Sequence, residues 1–275
     1  MIAVHSKSMI RALSLLLIAF SGHLLAQQPP RPEAMDRALL PITVRDLPGA
    51  FGTRWTTDLW FKIDGNARIA YVPSLPISFC DPPCPDLFVY DPDTSFVRDF
   101  YRTHATEPPG MLIYIDRATA ATQHFSLRLQ ETTGAIRMEA LQLPVVPESD
   151  FRGDGIQILG IPAKSSTRAM LRVYGIDPDL LGDVRVRAFR ETESVPQALV
   201  FDRTVSLRVM QVVHLVGEQP FKLRPPAAEL NLADLVPAGM DGVRLELTPL
   251  TAGLRIWGFV SLTDNVTQQV ALRTP

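Results

Sequence analysis

Short segments in which apolar and polar residues alternate constrain the fold of this chain more than any other feature. In the segment Arg54–Ile63, alternate positions fall on one face: Trp55, Thr57, Leu59, Phe61 and Ile63. A period of two over this length predicts a strand with one buried face. The turn residues Asp64-Gly65-Asn66 follow, and Arg68–Val72 resumes the extended pattern, so the pair predicts a β-hairpin.

Similar segments recur along the chain between clusters of Pro, Gly, Asp or Thr. They are Leu87–Tyr90, Met111–Ile115, Phe125–Leu129, Ala135–Ala140, Ile156–Leu159, Ala169–Tyr174, Val184–Arg187, Val205–Val209, Val243–Leu247 and Leu254–Leu262. The 24 prolines punctuate these segments and disfavour long helices. Ala227–Leu235 is the one stretch compatible with a helical turn, and it fits an inter-strand crossover or a strand as well. The pattern predicts an all-β protein.

Residues 144–155 interrupt this pattern with two prolines and two glycines, and they predict a linker. The halves on either side have roughly 100 residues each, the usual size of an immunoglobulin-like sandwich. We therefore expect a signal peptide at 1–26, a disordered Pro-rich lead at 27–40, and two immunoglobulin-like β-sandwich domains in tandem, at 41–143 and 156–275.

Two of the later segments predict different environments. In Val184–Arg187 apolar residues alternate with Arg, which indicates a sheet with one solvated face. In Leu254–Leu262, Trp257 and Phe259 share one face while Ile256 and Val260 occupy the other. Apolar residues on both faces predict a central, buried strand.

The first residues have the order of a secretory signal peptide. Lys7 and Arg11 precede the apolar run Ala12–Phe20, and small residues lead to Ala26, where we expect cleavage. The alternative is a membrane anchor, but spanning a bilayer takes about 20 apolar residues. No cysteine follows the run, so a lipid-anchored signal is absent. We expect a free exported protein, secreted or periplasmic, with no integral membrane segment in its mature part.

Cys80 and Cys84, within Phe79–Pro85, are the only cysteines. An oxidising compartment favours joining them in a disulfide, which would close a tight Pro-rich loop and set its local shape. A redox pair would have two intervening residues rather than three, and a zinc site would need about four ligands. We therefore predict a disulfide and no metal or cofactor.

Charge and motifs exclude several function classes. The 27 basic and 29 acidic residues give a net charge of −2, which leaves no basic surplus for nucleic acid. His104, His124 and His214 lack metal-site spacing, and neither a nucleophile elbow nor a phosphate-binding glycine pattern occurs. The sequence therefore favours a protein that is not an enzyme.

Carboxylates keep one enzymatic alternative open. A polysaccharide hydrolase needs only two carboxylates brought together in space. Glu139, Glu148, Asp150 and Asp154 are candidates, although charges of this kind more often lie solvated in loops and at strand edges. The alternative function is thus a secreted polysaccharide hydrolase that uses a pair of loop carboxylates.

Aromatic residues give the one indication of binding. Trp60 lies on the opposite face of its strand from Trp55 and Phe61, so it is predicted to point outward. An exposed Trp is a candidate for sugar stacking or partner contact, with Tyr71 and Tyr90 as further stacking surfaces. The other interpretation is that a neighbouring domain or loop covers Trp60.

Three stretches resemble secreted bacterial proteins of unassigned function. They are Gly49–Trp60, Leu143–Phe151 running into Arg168–Tyr174, and Ile256–Gln268. The resemblance implies tandem β-sandwich modules and an extracytoplasmic location, and it carries no activity, substrate or site. The leading hypothesis is a non-enzymatic binding or scaffolding protein at the cell envelope or outside the cell, contacting polysaccharide or another envelope protein.

Overall fold

The computed structural model describes residues 32–62, 68–70, 87–89, 94–97, 110–118, 120–134, 139–163, 166–191, 198–209, 213–216, 219–237 and 240–275. This part of the chain consists of strands, short 3-10 turns and connecting segments, and it contains no α-helix. The all-β fold class is confirmed. Within the same residues, no helix has the length and apolar character needed to cross a membrane.

The described strands are numbered in chain order. They are β1 Met35–Leu40, β2 Leu47–Pro48, β3 Arg54–Lys62, β4 Arg68–Ala70, β5 Leu87–Val89, β6 Thr94–Val97, β7 Met111–Asp116, β8 His124–Glu131, β9 Leu141–Leu143, β10 Val146–Pro147, β11 Ile156–Ala163, β12 Thr167–Gly175, β13 Asp183–Arg190, β14 Leu199–Ser206, β15 Val213–Val216, β16 Gln219–Lys222, β17 Ala227–Asn231, β18 Met240–Pro249, β19 Ile256–Asp264 and β20 Val270–Arg273.

Two antiparallel sheets form the amino-terminal half. Sheet 1 has the strand order β10-β1-β7-β4-β5, and sheet 2 has the order β2-β3-β8-β9, with β6 also pairing with β3. Strands of both sheets contribute to a shared apolar core, the first core, which includes Leu39, Leu112, Ile113, Leu59 and Leu127. The two sheets therefore face each other in a sandwich-like arrangement.

Two four-stranded antiparallel sheets and one two-stranded sheet, β15-β16, are described in the carboxy-terminal half. Sheet 3 has the order β11-β18-β13-β14, and sheet 4 has the order β17-β12-β19-β20. Between them lies a second core, to which β13 contributes Val184, Val186 and Ala188, all fully buried. Arg185, between these positions, is exposed. The prediction of a sheet with one solvated face is confirmed for this strand.

Strand β19 is buried on both of its faces. Every residue from Ile256 to Leu262 is buried, and the strand lies between β12 and β20. Ile256 and Val260 belong to the second core, whereas Trp257 and Phe259 belong to the first core. The prediction of a central, buried strand is confirmed, and sheet 4 contacts both cores.

The predicted hairpin between β3 and β4 is wrong. Strand β4 pairs with β5 and β7 in sheet 1, whereas β3 pairs with β2, β6 and β8 in sheet 2. The chain thus crosses from one sheet to the facing one between these strands. Turn residues end a strand, but they do not determine which strand lies beside the next one. Ala227–Asn231, left open by the sequence, is a strand that pairs with β12.

The predicted linker and lead contain ordered elements that complete the first half. In 144–155, β10 pairs with β1, and a 3-10 turn follows at Glu148–Asp150. Gly155 has φ +101°, and a Cβ there would lie 2.7 Å from the Leu247 carbonyl oxygen, so glycine is required.

Within 27–40, β1 begins at Met35, because Ala38, Leu39 and Leu40 supply apolar residues to the first core.

Candidate functional site

Trp60 lies on the outer surface of sheet 2. It is 39% exposed, whereas its neighbours Leu59 and Phe61 are 1% and 2% exposed and pack in the first core. Because successive side chains of a strand point to opposite faces, burial of Leu59 and Phe61 directs Trp60 outward. Tyr71 and Tyr90, the other predicted stacking residues, lie outside the described residues, as do Cys80 and Cys84.

The strand register determines which side chains surround Trp60. Ser126 of β8 is directly opposite Trp60, with Arg128 opposite Asp58 and His124 opposite Lys62. Residues opposite each other in an antiparallel pair share one face of the sheet. We refer to this outer surface as the Trp60 face. On β3, β8 and β9 its residues are Thr56, Asp58, Trp60, Lys62, His124, Ser126, Arg128, Gln130 and Gln142. On its other side, β3 pairs with β6, which places Phe96 opposite Trp60 and Thr94 opposite Lys62.

Hydrogen bonds join four of the polar side chains of the Trp60 face in two pairs. The amide nitrogen of Gln130 donates to the carboxylate of Asp58, which is 5% exposed. The hydroxyl of Ser126 donates to the amide oxygen of Gln142 over 3.3 Å. An indole ring beside amide, hydroxyl and carboxylate groups combines an apolar surface with hydrogen-bonding partners. This combination suits a ligand that has both apolar and hydroxylated surfaces.

The candidate carboxylates occupy different surroundings. Glu139 and Asp150 are exposed. Asp154 is exposed and forms an ion pair of 3.2 Å with Arg152, two residues away, which lowers its pKa. Glu148 instead lies where the two halves of the protein meet. Among the described residues, no three His, Cys, Asp or Glu side chains are grouped so as to hold a metal ion.

Glu148 is held by two arginines from distant parts of the chain. Its oxygens accept hydrogen bonds from Nε and Nη2 of Arg37, each 2.8 Å long, and from Nη2 of Arg255 over 2.6 Å. Arg37 also donates through Nη1 to the carbonyl oxygen of Ile176 over 3.1 Å. The hydrogen bonds from Arg37, followed by those from Arg255, lower the pKa of Glu148 to about 2. We refer to Arg37, Glu148 and Arg255 as the junction network.

Arg37 lines two clefts. One, of about 650 Å³, is lined by apolar groups such as Ile115, Phe125 and Val145 and by the polar residues Arg117 and His124. The other, of about 390 Å³, is lined by residues that include Tyr114, Asp179 and Lys222.

In the smaller cleft, the polar groups bind each other. The Tyr114 hydroxyl donates to the Lys222 carbonyl oxygen over 2.7 Å, and burial raises the pKa of Tyr114 to about 12. The Lys222 ammonium forms an ion pair with Asp179. These contacts join the two halves of the protein and give this region a structural role.

The sequence predicted that Trp60 points outward, but it gave neither the neighbours of Trp60 on β8 and β9 nor the junction network. Arg37 and Glu148 are 111 residues apart, and Glu148 and Arg255 are 107 apart. No local pattern relates such positions. For the Trp60 face, the alternation along β3 and β8 indicates which residues share a face of each strand, but pairing of the strands supplies the register.

Comparison with known proteins gives no match to a protein-family model, to a curated protein or to a solved structure. The function is therefore inferred from the geometry of the chain itself.

Proposed function

We propose that this chain is a non-enzymatic exported binding protein, secreted or periplasmic, which holds polysaccharide on the Trp60 face at the cell envelope or outside the cell. The observation that carries the proposal is the 39% exposure of Trp60 beside the polar side chains of β8. An indole ring exposed in this way packs against the C–H surface of a sugar ring. Amides and hydroxyls beside it bind the sugar hydroxyls.

We infer that the fold is two immunoglobulin-like β-sandwich modules in tandem behind a cleaved signal peptide. Two pairs of facing antiparallel sheets with two apolar cores support the modules. The order of basic, apolar and small residues up to Ala26 supports export. Sheet 2 presents one face to the first core and the other to the ligand.

The state of Glu148 favours binding over hydrolysis. A general acid must carry a proton at the working pH, and a pKa of about 2 leaves Glu148 ionised. Three guanidinium N–H groups also occupy its oxygens. A positioned polysaccharide would therefore meet no proton donor at this residue.

The test is a pull-down of the purified mature protein on a panel of insoluble polysaccharides and cell-wall material, with released sugars assayed in the same tubes. We expect retention without sugar release, and loss of retention by at least tenfold in Trp60→Ala. Phe51→Ala is the matched control, because Phe51 is 74% exposed but lies in the loop before β3 rather than on the Trp60 face.

Three outcomes would contradict the proposal. Equal retention of Trp60→Ala and wild type would remove Trp60 from the site. Absence of retention on every material would exclude polysaccharide binding and leave a protein partner as the explanation. Release of sugar would instead establish the hydrolase alternative.

A further inference from the structure

The exposed charged side chains described on the Trp60 face are basic. Lys62 and Arg128 are exposed there, and His124 beside Lys62 is exposed as well. The only acidic residue among the described positions of this face is Asp58, which is 5% exposed and accepts a hydrogen bond from Gln130. The chain as a whole has a net charge of −2, so these exposed basic side chains do not reflect a basic composition of the protein.

The charges are arranged around the indole ring. Arg128 and His124 are four residues apart on β8, which corresponds to about 13 Å along a strand. Ser126, midway between them, is opposite Trp60, and Lys62 is opposite His124. A linear polymer lying along β8 would therefore cross the ring at its centre and meet basic side chains at both ends.

Arg128 is the group best placed to bind an anion. Within the described part of the chain its guanidinium forms neither a hydrogen bond nor an ion pair, in contrast to Arg172, Arg185 and Arg187, each of which is paired with a carboxylate. A guanidinium binds carboxylate or phosphate oxygens through two parallel N–H groups. An exposed guanidinium that forms no such bond within the described residues, next to a stacking surface, thus favours an anionic ligand over a neutral one.

We propose that the polysaccharide held on the Trp60 face is anionic, with carboxylate or phosphate groups spaced along the chain. The inference rests on the proposed function, because it specifies the ligand of the same face. Trp60 would supply stacking on a sugar ring, and Arg128 would bind an anionic group of the polymer.

The experiment measures dissociation constants for four soluble polymers. Polygalacturonate carries carboxylates, and its methyl ester is the neutral match. Phosphorylated dextran carries phosphates, with plain dextran as its neutral match. We expect at least tenfold tighter binding of one or both anionic polymers than of their matches, and weaker binding as salt rises from about 50 to about 300 mM. The tighter of the two anionic polymers identifies the source of the charge.

Three variants test whether the preference for anionic polymers depends on the Trp60 face. Arg128→Gln is expected to weaken binding of the anionic polymer roughly fivefold and to reduce its salt dependence, whereas Trp60→Ala weakens it further. Arg203→Gln is the matched control, because Arg203 is an exposed arginine on β14, away from sheet 2. It is expected to bind as wild type does.

The outcomes separate this inference from the proposed function. If neutral and anionic polymers bind equally and Trp60→Ala abolishes both, the inference is overturned and the proposed function remains. The inference is likewise overturned, and the proposed function kept, if none of the four binds while the protein is retained on a neutral polysaccharide of the panel. If anionic binding survives in Trp60→Ala and disappears in Arg128→Gln, the stacking site of the proposed function fails instead.

Discussion

The hydroxyl of Tyr174, on β12, donates a hydrogen bond of 2.6 Å to the carbonyl oxygen of Pro41, which lies 133 residues earlier in the chain. Tyr174 is completely buried, and its ring stacks on that of Phe259 with centroids 6.4 Å apart and planes inclined by 11°. Both aromatic residues belong to the first core although their strands lie in sheet 4. This contact ties the two halves of the protein together.

Tyr174→Phe is expected to reduce the free energy of unfolding by about 1–2 kcal/mol, because it leaves a buried carbonyl without its donor. Urea-induced unfolding, monitored by tryptophan fluorescence, measures the change in the free energy of unfolding. The transition should remain single, since β12 contributes to both cores. Ser166→Ala, at an exposed turn, is the control and should change stability by less than about 0.5 kcal/mol. Two separate transitions would show that the halves unfold independently.

Gly110→Ala is expected to destabilise the protein by about 1–3 kcal/mol through overpacking. A Cβ at this position would lie 2.7 Å from Cε1 of Tyr174, closer than two carbon atoms can approach. Gly153→Ala is the matched control, because the nearest atoms to a Cβ there are 3.8 Å away. Thermal unfolding of both variants provides the comparison. Similar melting temperatures of the two variants would indicate that the Tyr174 ring moves aside without loss of stability.

Glu148→Gln is expected to lower stability by about 2 kcal/mol at neutral pH, a value that allows for partial solvent screening. The pKa of Glu148 falls from its ordinary value of 4.5 to about 2 in the folded protein. Folding therefore favours the ionised form, and the stabilisation is fully present above about pH 4.5 and is lost as the pH falls to about 2.

The measured quantity for Glu148 is the difference in unfolding free energy between wild type and Glu148→Gln across this pH range. The difference removes the contributions of other carboxylates whose pKa is lowered, such as Asp202 beside Arg185 and Asp264, which accepts backbone N–H groups. It should shrink toward zero at low pH. A difference that stays constant from pH 7 to pH 2 would show that the charge of Glu148 is unimportant.

Trp60→Ala and Phe61→Ala should affect stability very differently although the residues are adjacent. Removal of Phe61, 2% exposed and in the first core, is expected to reduce the free energy of unfolding by about 3–5 kcal/mol. Removal of Trp60, which is 39% exposed, should reduce it by a smaller amount, about 1 kcal/mol. Chemical denaturation of the two variants provides the test, and an equal loss would mean that Trp60 has a packing role.

The alternation of apolar and polar residues predicted those strands in which the alternation is pronounced. Val184–Arg187 and Ala169–Tyr174 lie within β13 and β12, because a period of two is a property of the segment itself. The two apolar faces of Leu254–Leu262 likewise predicted the burial of β19. For Trp60, the same alternation predicted the outward direction.

Relations between distant segments were not predictable in this way. The assignment of β3 and β4 to different sheets depends on which strands pack together, and this is decided by the first core as a whole. The pairing of Glu148 with Arg37 and Arg255 depends on how the halves meet. The strands beside Trp60 are β6 and β8, and β9 pairs with β8; the sequence alone did not give their register with β3.

The burial of β19 on both faces has a consequence for the order of assembly. The first core includes Trp257 and Phe259, more than 200 positions after Met35, with which the same core begins. During synthesis from the amino end, sheets 1 and 2 can pair while the surface that receives these aromatic rings is still uncovered. The amino-terminal half is thus synthesised first, but its core is completed only after Trp257 and Phe259 have been synthesised.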